Sequence, residues 1–168
     1  VLALAGPVQT EEIALGDGLD RVLAGPVRAR LTQPPFNAAA MDGYAIRRAD
    51  QDQPLQVIGE AAAGRPWTGT SQPSTAIRIF TGAAVPDGYD CVVMQEHVAR
   101  EGDVMRITTT QDHDNIRPQG NDFHEGSEFD PRRPLTPRDL ALIAAMNVDR
   151  LTVARRPRVA ILPGGDEL

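Results

Sequence analysis

Apolar and polar positions change period several times along the chain, and each change predicts an element. Glu12-Ile13-Ala14-Leu15 reads as a short strand that ends in the turn residues Gly16-Asp17-Gly18. Leu19, Val22 and Leu23 then recur at i, i+3 and i+4. With Asp17 as N-cap and Gly25-Pro26 as stop, this predicts a helix of about two turns. Residues 27–31 are extended up to the break at Pro34-Pro35. Period-two patterns dominate from there to about residue 128. Leu55-Gln56-Val57-Ile58 and Thr75-Ala76-Ile77-Arg78-Ile79-Phe80 are strands, and Pro86-Asp87-Gly88 is a turn. Residues 90–98 are apolar and then alternate, and Glu101-Gly102 turns the chain into Val104-Met105-Arg106-Ile107 as a hairpin.

Residues 115–128 are polar and punctuated by glycine, which predicts a structured loop. Thr136-Pro137-Arg138-Asp139 has the form of a helix start. A Thr N-cap, a Pro at the first helical position and an acid at the third complement the exposed amides. The apolar series Leu140, Ile143 and Ala144 carries that helix to an end near Asn147, which tolerates left-handed geometry. Leu151-Thr152-Val153 is a short strand. Val159-Ala160-Ile161-Leu162 is apolar on both faces, as in a strand buried within a parallel sheet, and runs into Pro163-Gly164-Gly165-Asp166-Glu167. The expected class is α+β, mainly β. A split first domain (1–28 and 126–156) encloses an inserted β-rich second domain (29–125), and 157–168 begins an α/β third domain. The chain starts without Met and stops just after a strand-like run, so both ends read as cuts. Residues 159–168 are therefore expected to need an ordering contact with a second copy or with the chain's own helical segment.

Composition narrows the function. Aromatics make up 4% of the 168 residues, so the core must be built from Val, Ile, Leu and Ala. The net charge of −6, with all 17 cations being Arg, speaks against general nucleic-acid binding and excludes a lysine-based phosphate loop or Schiff base in this segment. The single cysteine, Cys91, excludes an intrachain disulfide and fits a reducing compartment. No apolar run approaches the length of a membrane span. His97, His113 and His124 are too scattered for a zinc site, and no nucleophile carries a sequence signature.

Three segments hold candidate chemistry. In Phe36-Asn37-Ala38-Ala39-Ala40-Met41-Asp42-Gly43-Tyr44-Ala45, Asp-Gly is first of all a tight-turn signal. The small residues also let the backbone approach a ligand while Asp42 presents a carboxylate to a hard cation such as Mg²⁺. Arg78-Ile79-Phe80-Thr81-Gly82-Ala83 is a strand ending in a corner, where the Thr81 hydroxyl and nearby amides suit an anion. Asn115-Ile116-Arg117-Pro118-Gln119-Gly120-Asn121-Asp122 offers Arg117 and Asp122, either as ligand contacts or as a loop ion pair.

In order along the chain, these segments resemble the molybdopterin molybdenumtransferase (MoeA/gephyrin-type) family. The resemblance rests on Leu19-Asp20-Arg21-Val22-Leu23-Ala24, Pro35-Phe36 with Met41-Asp42-Gly43-Tyr44-Ala45, Arg78-Ile79-Phe80-Thr81-Gly82-Ala83, and Val92-Val93-Met94-Gln95-Glu96. It continues through Asn115-Ile116-Arg117, Arg156-Pro157-Arg158-Val159-Ala160-Ile161 and Gly165-Asp166-Glu167-Leu168. It implies a cytoplasmic, L-shaped homodimer of four-domain subunits that takes adenylylated molybdopterin and molybdate. Such an enzyme hydrolyses the adenylate with Mg²⁺ and releases molybdenum cofactor, in a cleft between the third domain of one subunit and the second domain of the other. It further implies Asp42 and Thr81 as catalytic residues, Arg117, Asp166 and Glu167 as substrate-binding residues, and Asp42 with Glu167 as Mg²⁺ ligands. The implied protein partners are the producer of the adenylylated pterin and the molybdoenzyme acceptors. A non-catalytic dimerisation or scaffold module of the same family is the alternative. The chain departs from the family at Asn37-Ala38-Ala39-Ala40, where Asp-Asn-Ser-Ala is usual, at Asn121 (usually Glu) and at Gly164 (usually Thr).

Overall fold

The computed structural model describes residues 9–161. Twelve strands and one α-helix follow in order: β1 (Thr10–Ala14), β2 (Val27–Arg28), β3 (Ala38–Ala39), β4 (Gly43–Ile46), β5 (Leu55–Ala61), β6 (Thr75–Ile79), β7 (Cys91–Met94), β8 (Val98–Glu101), β9 (Val104–Ile107), β10 (Ile116–Arg117), β11 (Glu128–Phe129), α1 (Pro137–Ala145) and β12 (Arg150–Ala154). The class is α+β and mainly β, as the patterning predicts. The chain divides into two compact units, one formed by Thr32–His124 and the other by the segments before and after it.

The inserted unit is built on a six-stranded mixed sheet in the order β7-β4-β6-β5-β9-β8. Only β5 and β6 run parallel; β4 pairs antiparallel with both β6 and β7, and β8–β9 is the expected hairpin. Both faces are covered, which explains the continuous apolar runs of the central strands. Ala45, Ile77, Ile79 and Val92 pack on one face with Ala39, Ala61, Ala83 and Tyr89. Tyr44, Ile46, Ala76, Cys91 and Val93 pack on the other with Leu55 and Met105. A register shift between Val57 and Gly59 lets β5 contribute to both faces. The departures at Ala38 and Ala39 fall on β3, where both side chains are buried and β10 is the partner strand. A methyl group leaves nothing unsatisfied there.

The flanking unit holds two small ribbons, β1–β12 and β2–β11, together with α1. Helix α1 is capped as its sequence predicts. The Thr136 hydroxyl accepts from the Asp139 amide, and the Asp139 carboxylate accepts from the Thr136 amide. The helix ends just before Asn147, which takes a φ of 61°.

Three expectations are corrected. The helix over residues 19–24 does not form. A 3₁₀ turn covers Leu15–Asp17, and Asp20 has a φ of 59°. Leu23 makes a β-bridge to Val153, and Ala24 N donates to Thr152 O. Leu19 and Val22 stay exposed while Leu23 is buried, so the three do not act as one apolar face. The Asp42-Gly43 pair is not a hairpin turn either, because Gly43 is already the first residue of β4 and its φ is not positive. Finally, residues 159–161 are not a strand. Val159 and Ile161 are 81% and 86% exposed, and no sheet is offered to them among the described residues. The rest of the expected 159–168 segment, with Asp166 and Glu167, lies outside the described residues.

Candidate functional site

Asp42 occupies the bend between β3 and β4, and Thr81 follows β6 at a corner. The antiparallel register sets Gly43 opposite Ile79, so the residue before β4 and the residues after β6 meet at one end of the sheet. There Oδ1 of Asp42 accepts from the Thr81 amide at 2.8 Å and from the Thr81 hydroxyl at 2.7 Å. The corner itself is a four-residue turn. Ala83 N donates to Phe80 O, and Gly82 takes the φ of 82° that this position requires.

Gly43 is glycine for a different reason. A Cβ there would stand 1.9 Å from the carbonyl oxygen of Val93 in β7. The close approach of β4 and β7 allows Gln95 N to donate to Asp42 O at 3.1 Å. Asp42 is thus held by its side chain towards β6 and by its backbone towards β7.

The electrostatics favour an ionised Asp42. The Thr81 amide and then the Thr81 hydroxyl hold its carboxyl below the usual range, and the charge of Arg78 acts in the same direction against a small desolvation. Asp42 and Thr81 are both exposed, and among the described residues no hydrogen bond reaches Oδ2 of Asp42.

The structure adds three neighbours that the sequence reading did not single out as site residues. Arg78 donates to Gly43 O and to the Gln95 side chain. Gln95 in turn donates to Glu96. Glu96 is held below the usual carboxylate range chiefly by its own backbone amide and by Gln95, while the negative charge of Asp42 opposes this. Gln95-Glu96 directly follows β7, and its signals were this strand-end position and its place in a string that carries the family resemblance. Among the described residues no three His, Cys, Asp or Glu side chains gather to hold a metal ion.

Arg117 lies on β10 opposite Ala38 and is not hydrogen-bonded to Asp42 or Thr81. One of its guanidinium nitrogens donates to both Asp122 oxygens, at 2.5 and 2.7 Å. This is the loop ion pair that the segment allowed. Nearby, Asn37 Oδ1 accepts from Gln119 N, which ties this loop to the segment leading into β3. Cys91 is buried in β7, and burial pushes its thiol up, away from a reactive thiolate.

The arrangement is therefore a mixed-sheet module that presents an ionised carboxylate braced by a hydroxyl. The profile of the family described as "MoeA N-terminal region (domain I and II)" matches residues 1–147, and the chain belongs to that family. It is 39% identical to the molybdopterin molybdenumtransferase of Nostoc sp., over 95% of this chain and 38% of that protein. It is 35% identical to the molybdopterin molybdenumtransferase of Haemophilus influenzae, over 96% of this chain and 41% of that protein. Two crystal structures of molybdopterin biosynthesis MoeA protein from Pyrococcus horikoshii share the fold. One has a TM-score of 0.78 and 34% identity over 89% of this chain and 42% of that one. The other has a TM-score of 0.82 and 28% identity over 99% and 47%. The chain thus spans about two fifths of the length of these curated relatives. No helix among the described residues is long and apolar enough to cross a membrane.

Proposed function

We propose that the protein carrying this chain inserts molybdenum into adenylylated molybdopterin, and that this chain forms one wall of the cleft where insertion takes place. In this reading the flanking unit is the split first domain and serves dimerisation, the inserted unit is the second domain, and the subunits form a cytoplasmic homodimer. The observation that carries the proposal is the Asp42–Thr81 pair, fixed at the end of two adjacent strands with one carboxylate oxygen free. The relatives' name, molybdopterin molybdenumtransferase, supports molybdopterin and molybdenum as what is joined; adenylylation of the pterin and molybdate as the metal source are what the family resemblance implies.

An acid held below its usual pKa is ionised at neutral pH, which favours a role for Asp42 as a charged group over one as a proton donor. Its role is that of a charged ligand or an electrostatic partner. A free oxygen on an exposed carboxylate suits Mg²⁺, which commonly takes one or two carboxylates and completes its shell with water and substrate phosphates. Asp42 would hold the ion together with Glu167, and Asp166, Glu167 and Arg117 would contact substrate. Mg²⁺ when bound would neutralise charge on the pyrophosphate being cleaved. Thr81 keeps the Asp42 carboxylate in one orientation, and its hydroxyl oxygen remains able to accept a hydrogen bond from a bound group. The partners in this reading are the producer of the adenylylated pterin and the molybdoenzymes that receive the cofactor.

The test is Asp42→Asn in the protein that carries this chain, assayed for molybdenum insertion with adenylylated molybdopterin and molybdate. Asn keeps the shape and an acceptor oxygen but removes the charge. Loss of a well-placed charged group commonly costs on the order of 10²-fold in rate. Wild-type insertion with an unchanged melting temperature would return Asp42 to the ordinary surface residues and overturn its place in the cleft wall, whereas a wild-type protein that inserts no molybdenum would favour the scaffold reading.

A further inference from the structure

Arg78 is the penultimate residue of β6 and lies opposite Tyr44 of β4. Its side chain runs along the face it shares with Tyr44 and Phe80. The guanidinium carbon sits 5.1 Å from the Tyr44 ring centroid and 4.7 Å from that of Phe80. Cation–π contact with two rings confines the guanidinium between them, and its nitrogens reach two separate acceptors. One of them, Nη1, donates to the carbonyl of Gly43 at 2.9 Å, and Nη2 donates to Oε1 of Gln95 at 2.6 Å.

These two acceptors bracket Asp42. Gly43 is the next residue in the chain, and Gln95 is the residue whose amide donates to Asp42 O. We propose that Arg78 is a positioning residue for Asp42: its fork joins the start of β4 to the end of β7 and so sets where the Asp42 carboxylate stands against Thr81. The proposal rests on the reading of Asp42 as a functional carboxylate. Lys cannot replace this fork, because a single ammonium on a flexible stem neither stacks in a fixed plane nor spans two acceptors in set directions.

The experiment compares Arg78→Lys, Arg78→Met and Gln95→Ala in the protein that carries this chain. Gln95 is exposed, so its truncation removes one arm of the fork without touching the core. Hydrogen exchange is read at the Gln95 and Thr81 amides, with amides along β5 and β9 as internal controls. Molybdenum insertion is measured on the same preparations. The expected result is exchange at least tenfold faster at Gln95 and Thr81 in both Arg78 variants, a smaller acceleration in Gln95→Ala, and unchanged controls. Insertion kcat should fall at least tenfold in both Arg78 variants, with KM for the adenylylated pterin within twofold. Wild-type protection of the two amides, or recovery of protection and turnover in Arg78→Lys, would overturn the positioning role. Full turnover in the Arg78 variants beside an inactive Asp42→Asn would overturn it as well. Full turnover in Asp42→Asn itself, with the two amides loosened as expected, overturns the proposal through the reading of Asp42 and leaves the fork's geometry standing.

Discussion

Replacing Gly43 with alanine tests why this position is glycine. The added methyl would lie 1.9 Å from Val93 O, 2.8 Å from Val93 C and 3.1 Å from Met94 Cα. All three atoms are backbone, so no side chain can turn aside, and β7 must move away by on the order of 1.5 Å to reach ordinary contact. Strand β6 holds the other edge of β4, so the movement falls on the Gly43–Met94 and Tyr44–Val93 pairs. Overpacking costs about 1–3 kcal/mol, and a weakened sheet hydrogen bond adds about 1 kcal/mol. The lower backbone entropy of alanine returns roughly 0.5–1 kcal/mol. The net loss is about 1–3.5 kcal/mol, which lowers Tm by roughly 4–28 °C for a unit of this size. Gly82→Ala is the comparison. Its φ is 82° with nothing within 4 Å of the added methyl, so backbone strain of about 1–2 kcal/mol is set against the same entropy return of roughly 0.5–1 kcal/mol, a net loss of about 0–1.5 kcal/mol. Gly43→Asn separates the two explanations further, since Asn is accepted where a left-handed turn is needed and refused where space is lacking. Thermal melts of the three variants should place Gly43→Ala and Gly43→Asn well below Gly82→Ala. A Gly43→Ala protein as stable as Gly82→Ala, or one improved by Asn, would refute the close-approach argument.

Other outcomes follow from the same geometry. Thr136→Ala removes the N-cap of α1 and should cost about 1 kcal/mol in chemical denaturation, with the fold retained. Asp139 is held below the usual carboxylate range, first by Arg133 and then by the Thr136 hydroxyl and amide. A depressed folded-state pKa means that its contribution is complete above the ordinary value of 3.8 and is lost as the pH falls below it. Asp139→Asn should therefore flatten the fall of stability between about pH 4 and pH 2, and an unchanged acid limb would contradict this. The purified 168-residue chain should insert no molybdenum above background, because the resemblance assigns the adenylate and pterin pockets mainly to a third domain; clear turnover would overturn the proposed domain assignment.

What the sequence determined by itself was local. The capping residues of α1 lie within four positions, and the Glu101-Gly102 hairpin joins neighbouring strands, so turn chemistry and alternation were enough to find both. Asp42 and Thr81 were each legible as candidates, through their small-residue and strand-end settings. That they share two hydrogen bonds was not, because they stand 39 residues apart and meet only through the β4–β6 register. Arg78 and Glu96 entered the site by the same route, from strands that the sheet order brings to either side of β4. The failures have the same origin. Leu19, Val22 and Leu23 carry a helical spacing, but Leu23 finds a strand partner in Val153, and a tertiary β-bridge outweighs a two-turn helix that is marginal by itself. Asp42-Gly43 carries a turn signal, yet only the packing of β7 against β4 decided that the glycine is needed for space and not for its dihedral angle. Local free energies of a few tenths to one kcal/mol propose such elements, and long-range burial and pairing choose among them.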